Sequence, residues 1–214
     1  MTGKTEDEVL VAIDGSAPAR TAAQVGIRLA TSEGLAVRGL YVVDEAMALD
    51  IYSEPERELD EGREPLSRTA LIREFEAQGE AALDWLAAQC QGAGLPVSTE
   101  ILVGGVPEML LREAADARLL TIGRRGHGHA GRAGHLGSTF HAVVHRAELP
   151  TLIGSDEERA LRRVLVAYDG GPRAREGLDW AARLQRSLAL ELAIVAVQEK
   201  GQEAATRWLE DAQA

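Results

Sequence analysis

Short runs of consecutive apolar residues, separated by segments with helical spacing, constrain this 214-residue chain more than any other feature. Val9-Leu-Val-Ala-Ile13 is the first run, and it ends at the turn signal Asp14-Gly15-Ser16. Val37 to Val43, Val97 to Val103, Arg118 to Ile122 and Pro150 to Gly154 follow as four more strands. A strand that is apolar on both faces belongs in a sheet covered on both sides, and such sheets are parallel with helical crossovers. The intervening segments supply those helices. In Ala17 to Ser32, Ala22, Val25, Gly26 and Leu29 fall on one face. Ser16 suits its cap, Pro18 its first turn and Gly34 its stop. Leu71, Phe75, Ala82, Trp85, Leu86 and Gln89 mark a long amphipathic helix from about Ser67 to Gln91, stopped by Gly92-Ala-Gly94. A helix entered through Gly104-Gly-Val-Pro107 runs to near Asp116, and another runs from Ser138 to Leu149. The expected class is α/β, with a five-stranded, mostly parallel sheet and helices on both faces.

The opening of this pattern occurs twice. Val9-Leu-Val-Ala-Ile-Asp-Gly15 and Val164-Leu-Val-Ala-Tyr-Asp-Gly170 agree at six of seven positions, offset by 155. Each is followed by a helix (Ala17 onward, Pro172 to Ser187) and then by a strand (Val37 to Val43, Leu190 to Val197). The matched order of elements favours duplication over chance. The second copy continues into a helix at Gln202 to Ala212, with no third strand and no glycine loop. The expected organisation is a complete α/β domain over residues 1–154, a linker over 155–162, and an incomplete β-α-β-α repeat over 163–214. Two strands and two helices make a small core, so the repeat is expected to pack on the first domain or on a second chain, forming a homodimer in the latter case.

Composition narrows the setting. The formal net charge of −11 argues against non-specific nucleic-acid binding. Residues 44–67 form an acidic connection with nine carboxylates and two arginines, read as solvated; as a lid over an anion site they would repel it. The single cysteine, Cys90, lies in an apolar helical pattern and excludes an intrachain disulfide. The polar start and the lack of a long apolar run point away from a signal peptide or membrane span, so a cytoplasmic location is expected.

Against that acidic background, Gly123 to Thr139 stands out. It holds six of the 22 glycines and lies between the fourth strand and a helix start at Ser138. From Ala117 to Ala147 there are five arginines, all five histidines of the chain and no acidic residue. Glycines let backbone N–H groups approach an anion, and a helix N-terminus adds positive potential. Parallel sheets bind ligands beyond the carboxyl ends of their strands, where Asp14, Val42 to Asp44, the Gly104 turn and Gly123 all fall.

With these residues in view, the chain resembles the nucleotide-binding branch of the universal stress protein family. Gly123-Arg-Arg-Gly126 and Gly137-Ser138 match the ends of that family's signature: Gly, two residues, Gly, nine residues, Gly, then Ser or Thr. The spacer here, His127 to Leu136, has ten residues. The resemblance covers residues 1–154, and Val164 to Ala214 resembles the front of a second such domain. It implies ATP as ligand, accompanied by magnesium, and contacts from the following positions. Asp14 would bond the ribose, with Ala12 and Ile13 beside it. Val42 would meet adenine through its backbone. Gly123 and Gly126 would let the chain approach ribose and phosphates, while Gly137, Ser138 and Thr139 would hold phosphate oxygens. Arg125 is favoured over Arg124 as a phosphate partner. Asp14 and Ser138 also suit plain turn and cap roles.

Other chemistry fits less well. His127, His129 and His135 lack a nearby cysteine or carboxylate, so no metal site is expected; protonated, they would strengthen phosphate binding. Ser138 and His141 lack a nucleophile elbow and a third partner, so no catalytic residues are assigned. GxxxxGK[ST] and GxGxxG are absent, and the only lysines are Lys4 and Lys200. Phosphoryl transfer needs organised cations and metal ligands. The expected function is therefore an ATP-binding stress-response module acting through conformation or assembly, with at most slow ATP hydrolysis. The alternative is a nucleotide-independent interaction module of the same fold. Only the first copy carries the glycine loop, so one complete site per chain is expected.

Overall fold

A computed structural model describes residues 7–45, 68–126, 137–157, 159–197 and 204–213. Most of the acidic connection (46–67) and the spacer 127–136, with His127, His129 and His135, lie outside the described residues. The chain divides into two compact units, Met1–Glu158 and Arg159–Ala214.

The first unit runs β1 (Glu8–Ala12), α1 (Ala17–Glu33), β2 (Ala36–Asp44), α2 (Arg68–Gly92), β3 (Val97–Gly104), α3 (Val106–Ala114), β4 (Leu119–Gly123), α4 (Ser138–Arg146) and β5 (Thr151–Gly154). The strands form one sheet in the order β3-β2-β1-β4-β5, and every neighbouring pair is parallel. Central β1 is buried on both faces, as its unbroken apolar run requires. Leu10 and Ala12 join Leu40, Leu120 and Ile122 beneath Leu110 and Ala114 of α3 and Val143 of α4. On the opposite face, Gly26 of α1 sits so close to Val9 and Thr121 that an added Cβ would fall 2.8 Å from the Thr121 methyl. Gly39 of β2 similarly admits Leu83 and Leu86 of α2. Burying Leu10, Leu40, Leu86 and Leu120 completely contributes about 1.5–3 kcal/mol each.

Local signals set the helix ends. The Ser16 hydroxyl accepts the Ala19 N–H at 3.3 Å, Pro18 lies in the first turn, and Gly34 closes α1 in the left-handed conformation (φ 69°). The buried stripe of α2 differs from the expected one. It passes through Leu71, Gly79, Ala82, Leu83, Leu86 and Cys90, whereas Gln89 is exposed. Trp85 is half-buried, with the Arg20 guanidinium 5.0 Å from its ring centroid. α4 ends at Arg146, short of Leu149, where Ala147 turns extended (φ −67°, ψ 130°). α3 ends at Ala114, and the Ala117 N–H returns to its carbonyl at 3.0 Å.

The second unit contains β6 (Arg163–Ala167), α5 (Pro172–Leu188), β7 (Glu191–Val195) and α6 (Ala204–Gln213), with β6 and β7 parallel. Val166, Tyr168 and Ala181 form its buried centre, packed by Leu178, Ile194 and Trp208 among others. Asp169 Oδ1 accepts the Gly171 N–H at 2.9 Å, the same turn that Asp14 Oδ1 makes with the Ser16 N–H at 2.9 Å. Among the described residues, no helix is long and apolar enough to cross a membrane.

Candidate functional site

Parallel strands bring their carboxyl ends to one rim, and a cleft of about 550 Å³ opens there in the first unit. β1 and its turn contribute Ala12, Ile13 and Asp14, and β2 contributes Val42. Gly123, Arg125 and Gly126 come from the end of β4, and Gly137, Ser138 and Thr139 from the start of α4. All ten positions singled out from the sequence therefore line one space. Four residues not singled out as ligand contacts join them: Tyr41 from β2, Phe75 and Gln78 from α2, and Phe140 from α4. Phe75 had the signal of a core stripe, and nothing in its spacing distinguishes a core wall from a cleft wall.

Backbone bonds hold the rim together. The Ser16 hydroxyl that caps α1 also donates to the Arg125 carbonyl at 3.4 Å, joining the β1 turn to the glycine segment. The Gly137 N–H donates to the Arg124 carbonyl at 3.2 Å, and the Arg124 N–H to the Gly154 carbonyl at 3.1 Å. The two flanks of the glycine-rich segment are thus pinned to each other and to β5.

Close approach to backbone explains the glycine at Gly123, whereas Gly126 approaches a side-chain tip. A Cβ on Gly123 would lie 2.8 Å from the Ala19 amide nitrogen, and one on Gly126 would lie 2.8 Å from Asp14 Oδ2. Gly137 differs. Its backbone is ordinary extended (φ −65°) and a Cβ would meet nothing closer than 3.6 Å. It is the N-cap of α4 and has no side chain to occupy the first-turn N–H groups beside the cleft.

Charge is mixed at the rim. Arg124, Arg125, Asp14 and Asp44 all line the cleft. Both guanidiniums are engaged by the Asp156 carboxylate, that of Arg125 at 2.7 Å. Burial, reinforced by the Asp14 charge, raises the Tyr41 pKa above the ordinary phenol value and keeps its hydroxyl neutral. Val42, Val106, Leu110 and Ile122 supply apolar wall. Such a cleft suits a ligand with a flat, weakly polar body and an anionic end. Cys90 takes no part: it is fully buried in α2, and burial pushes its thiol up to about 11.

Residues 7–153 match the sequence model of the universal stress protein family. A universal stress protein of Mycolicibacterium smegmatis is 34% identical over 91 residues, which is 40% of this chain and 31% of that relative's length. Among solved structures, a universal stress protein of Archaeoglobus fulgidus DSM 4304 superposes with a TM-score of 0.72 at 19% identity, covering 98% of this chain and 72% of that one. UspA of Lactobacillus plantarum gives 0.53 at 21% identity, covering 72% of this chain and all of the other (100%). These superpositions show the shared α/β fold. The family match runs from ahead of β1 into β5, well over half of the sequence, and so this chain belongs to the universal stress protein family.

Proposed function

We propose that the cleft binds an adenine nucleotide, with ATP as the ligand, and that the chain is a stress-response module acting through ligand-dependent conformation or assembly. The observation that carries this reading is the glycine-bounded start of α4. Gly137 leaves the first-turn N–H groups without a side-chain cap, and Ser138 and Thr139 line the same space. That is the donor pattern a phosphate requires. The apolar wall near Val42 suits a purine, and Asp14 suits a ribose hydroxyl. Asp14 and Asp44 are hard oxygen donors, and magnesium commonly binds through one or two carboxylates together with phosphates. The residues present therefore fit a magnesium nucleotide, in which the metal would neutralise phosphate charge.

Mass spectrometry of small molecules released from freshly purified protein should find an adenine nucleotide. In titrations, Gly137→Glu should abolish ATP binding by placing a carboxylate in the phosphate space. Gly137→Ala should retain it, because a lone Cβ meets no atom within 3.5 Å there. Unchanged ATP affinity in the glutamate variant would refute the nucleotide reading.

A further inference from the structure

The two arginines at the cleft rim are held by an anion the chain supplies itself. Asp156 lies just beyond β5, and its carboxylate engages both Arg124 and Arg125. Its placement is fixed locally. The Arg124 N–H donates to the Gly154 carbonyl, so the backbone of the arginine pair is tied to the strand end that delivers Asp156. The Arg125 side chain is 19% exposed and that of Asp156 31%, so this is a partly buried contact rather than a fully solvated one.

We propose that Asp156 is an internal competitor for the anion subsite of the cleft, and that a polyphosphate binds by displacing it from Arg124 and Arg125. The inference rests on the nucleotide reading above and names the residue that opposes it. Charge supplies the argument. Among the described residues lining the cleft, Arg124 and Arg125 are the cations and Asp14 and Asp44 the acids. With Asp156 seated on the arginines, an incoming phosphate meets, among the described residues, three carboxylates against two guanidiniums. With Asp156 displaced, the charges of the described lining residues balance and both planar forks can turn to phosphate oxygens. Carboxylate and phosphate use the same donors, so the two occupants exclude one another. Ser155 and Glu157 flank Asp156, joined by a 2.8 Å hydrogen bond from the Ser155 hydroxyl to the Glu157 carbonyl.

The test is calorimetric titration of the full chain and its Asp156→Asn variant with ATP, adenosine and inorganic tripolyphosphate. Asp156→Asn should bind ATP and tripolyphosphate about 1.5- to fivefold more tightly, the range expected when a partly exposed ion pair no longer competes. Adenosine, which has no phosphate, should be unaffected. Asp156→Glu keeps the carboxylate and should bind ATP much as the parent does; this separates charge competition from disturbed packing. Equal or weaker ATP binding by Asp156→Asn would overturn the proposal, as would a matching gain in Asp156→Glu. Tripolyphosphate binding that tightens in Asp156→Asn while neither protein binds ATP would sustain the competition and defeat the nucleotide reading. No binding of either anion to either protein would defeat both.

Discussion

Single positions in this fold are constrained by distance to backbone, and the glycines separate into those that cannot change and those that can. Gly154 ends β5 with its Cα so near α1 that a Cβ would lie 1.9 Å from the Pro18 carbonyl and 2.6 Å from the Ala22 nitrogen. Both obstacles are backbone of a packed helix, and neither can swing aside as a side-chain tip would. Gly154→Ala should therefore force β5 and α1 apart and cost about 3 kcal/mol or more, read as a fall in the midpoint of chemical unfolding. A midpoint within experimental error of the parent would show that α1 yields more easily than its packing implies. The sequence reading took Gly154 only as the last residue of a strand, because closeness to α1 depends on how β5 lies in the sheet. Gly123 and Gly126 were legible for a different reason. They belong to a local pattern, a strand followed by a glycine-rich turn, whose geometry is settled within a few residues.

Elements show the same division between local and distant causes. Strand ends and helix starts were readable because caps and turns are short-range. The order β3-β2-β1-β4-β5 was not, since apolar runs of similar length do not say which neighbour each will take. One consequence of that order is an ion network at the base of the sheet. Arg38 of β2 donates from Nε to Glu8 of β1 at 2.8 Å, and its remaining nitrogens reach the Glu113 carboxylate at 3.0 Å and the Glu113 carbonyl at 2.5 Å, on α3. These three residues are far apart in sequence, and each alone reads as a solvated charge. Burial acts to raise the Glu113 pKa, but hydrogen bonds from Arg38 and Arg112 outweigh it, and the carboxyl sits below its ordinary value. A depressed folded-state pKa means that the stabilisation is present above the unfolded value, near 4.3, and is lost as pH falls through the lower folded value. Glu113→Gln should consequently destabilise the protein by about 1–3 kcal/mol at pH 7. It should also flatten the acid limb of the stability–pH profile below about pH 5. Parallel acid limbs for variant and parent, measured by urea unfolding across pH 3–7, would remove Glu113 as a contributor.

For the whole molecule, the informative comparison is between two nearly identical strands in different company. Val9-Leu-Val-Ala and Val164-Leu-Val-Ala both form a parallel strand followed by an Asp-Gly turn and a helix. Leu10 is completely buried beneath α3 and α4, whereas Leu165, at the matching position, is 66% exposed. Among the described residues of the second unit, the two helices pack instead on the face that carries Val166 and Ile194. Val195, on β7 beside Ala167, is likewise 41% exposed. A two-stranded sheet with one covered face has little to oppose local opening, while β1 opens only if both layers of the first unit come apart. Hydrogen exchange measured by mass spectrometry on the full chain should therefore find β6 and β7 amides exchanging on the order of 100-fold or more faster than those of β1 and β4. The expected order does not follow from sequence, since the two strands share nearly every residue; it follows from which helices their units contain. Comparable protection in β1 and β6 would mean that Leu165 and Val195 are covered in solution. Concentration-dependent protection of β6 and β7 would then identify the cover as a second copy of the chain.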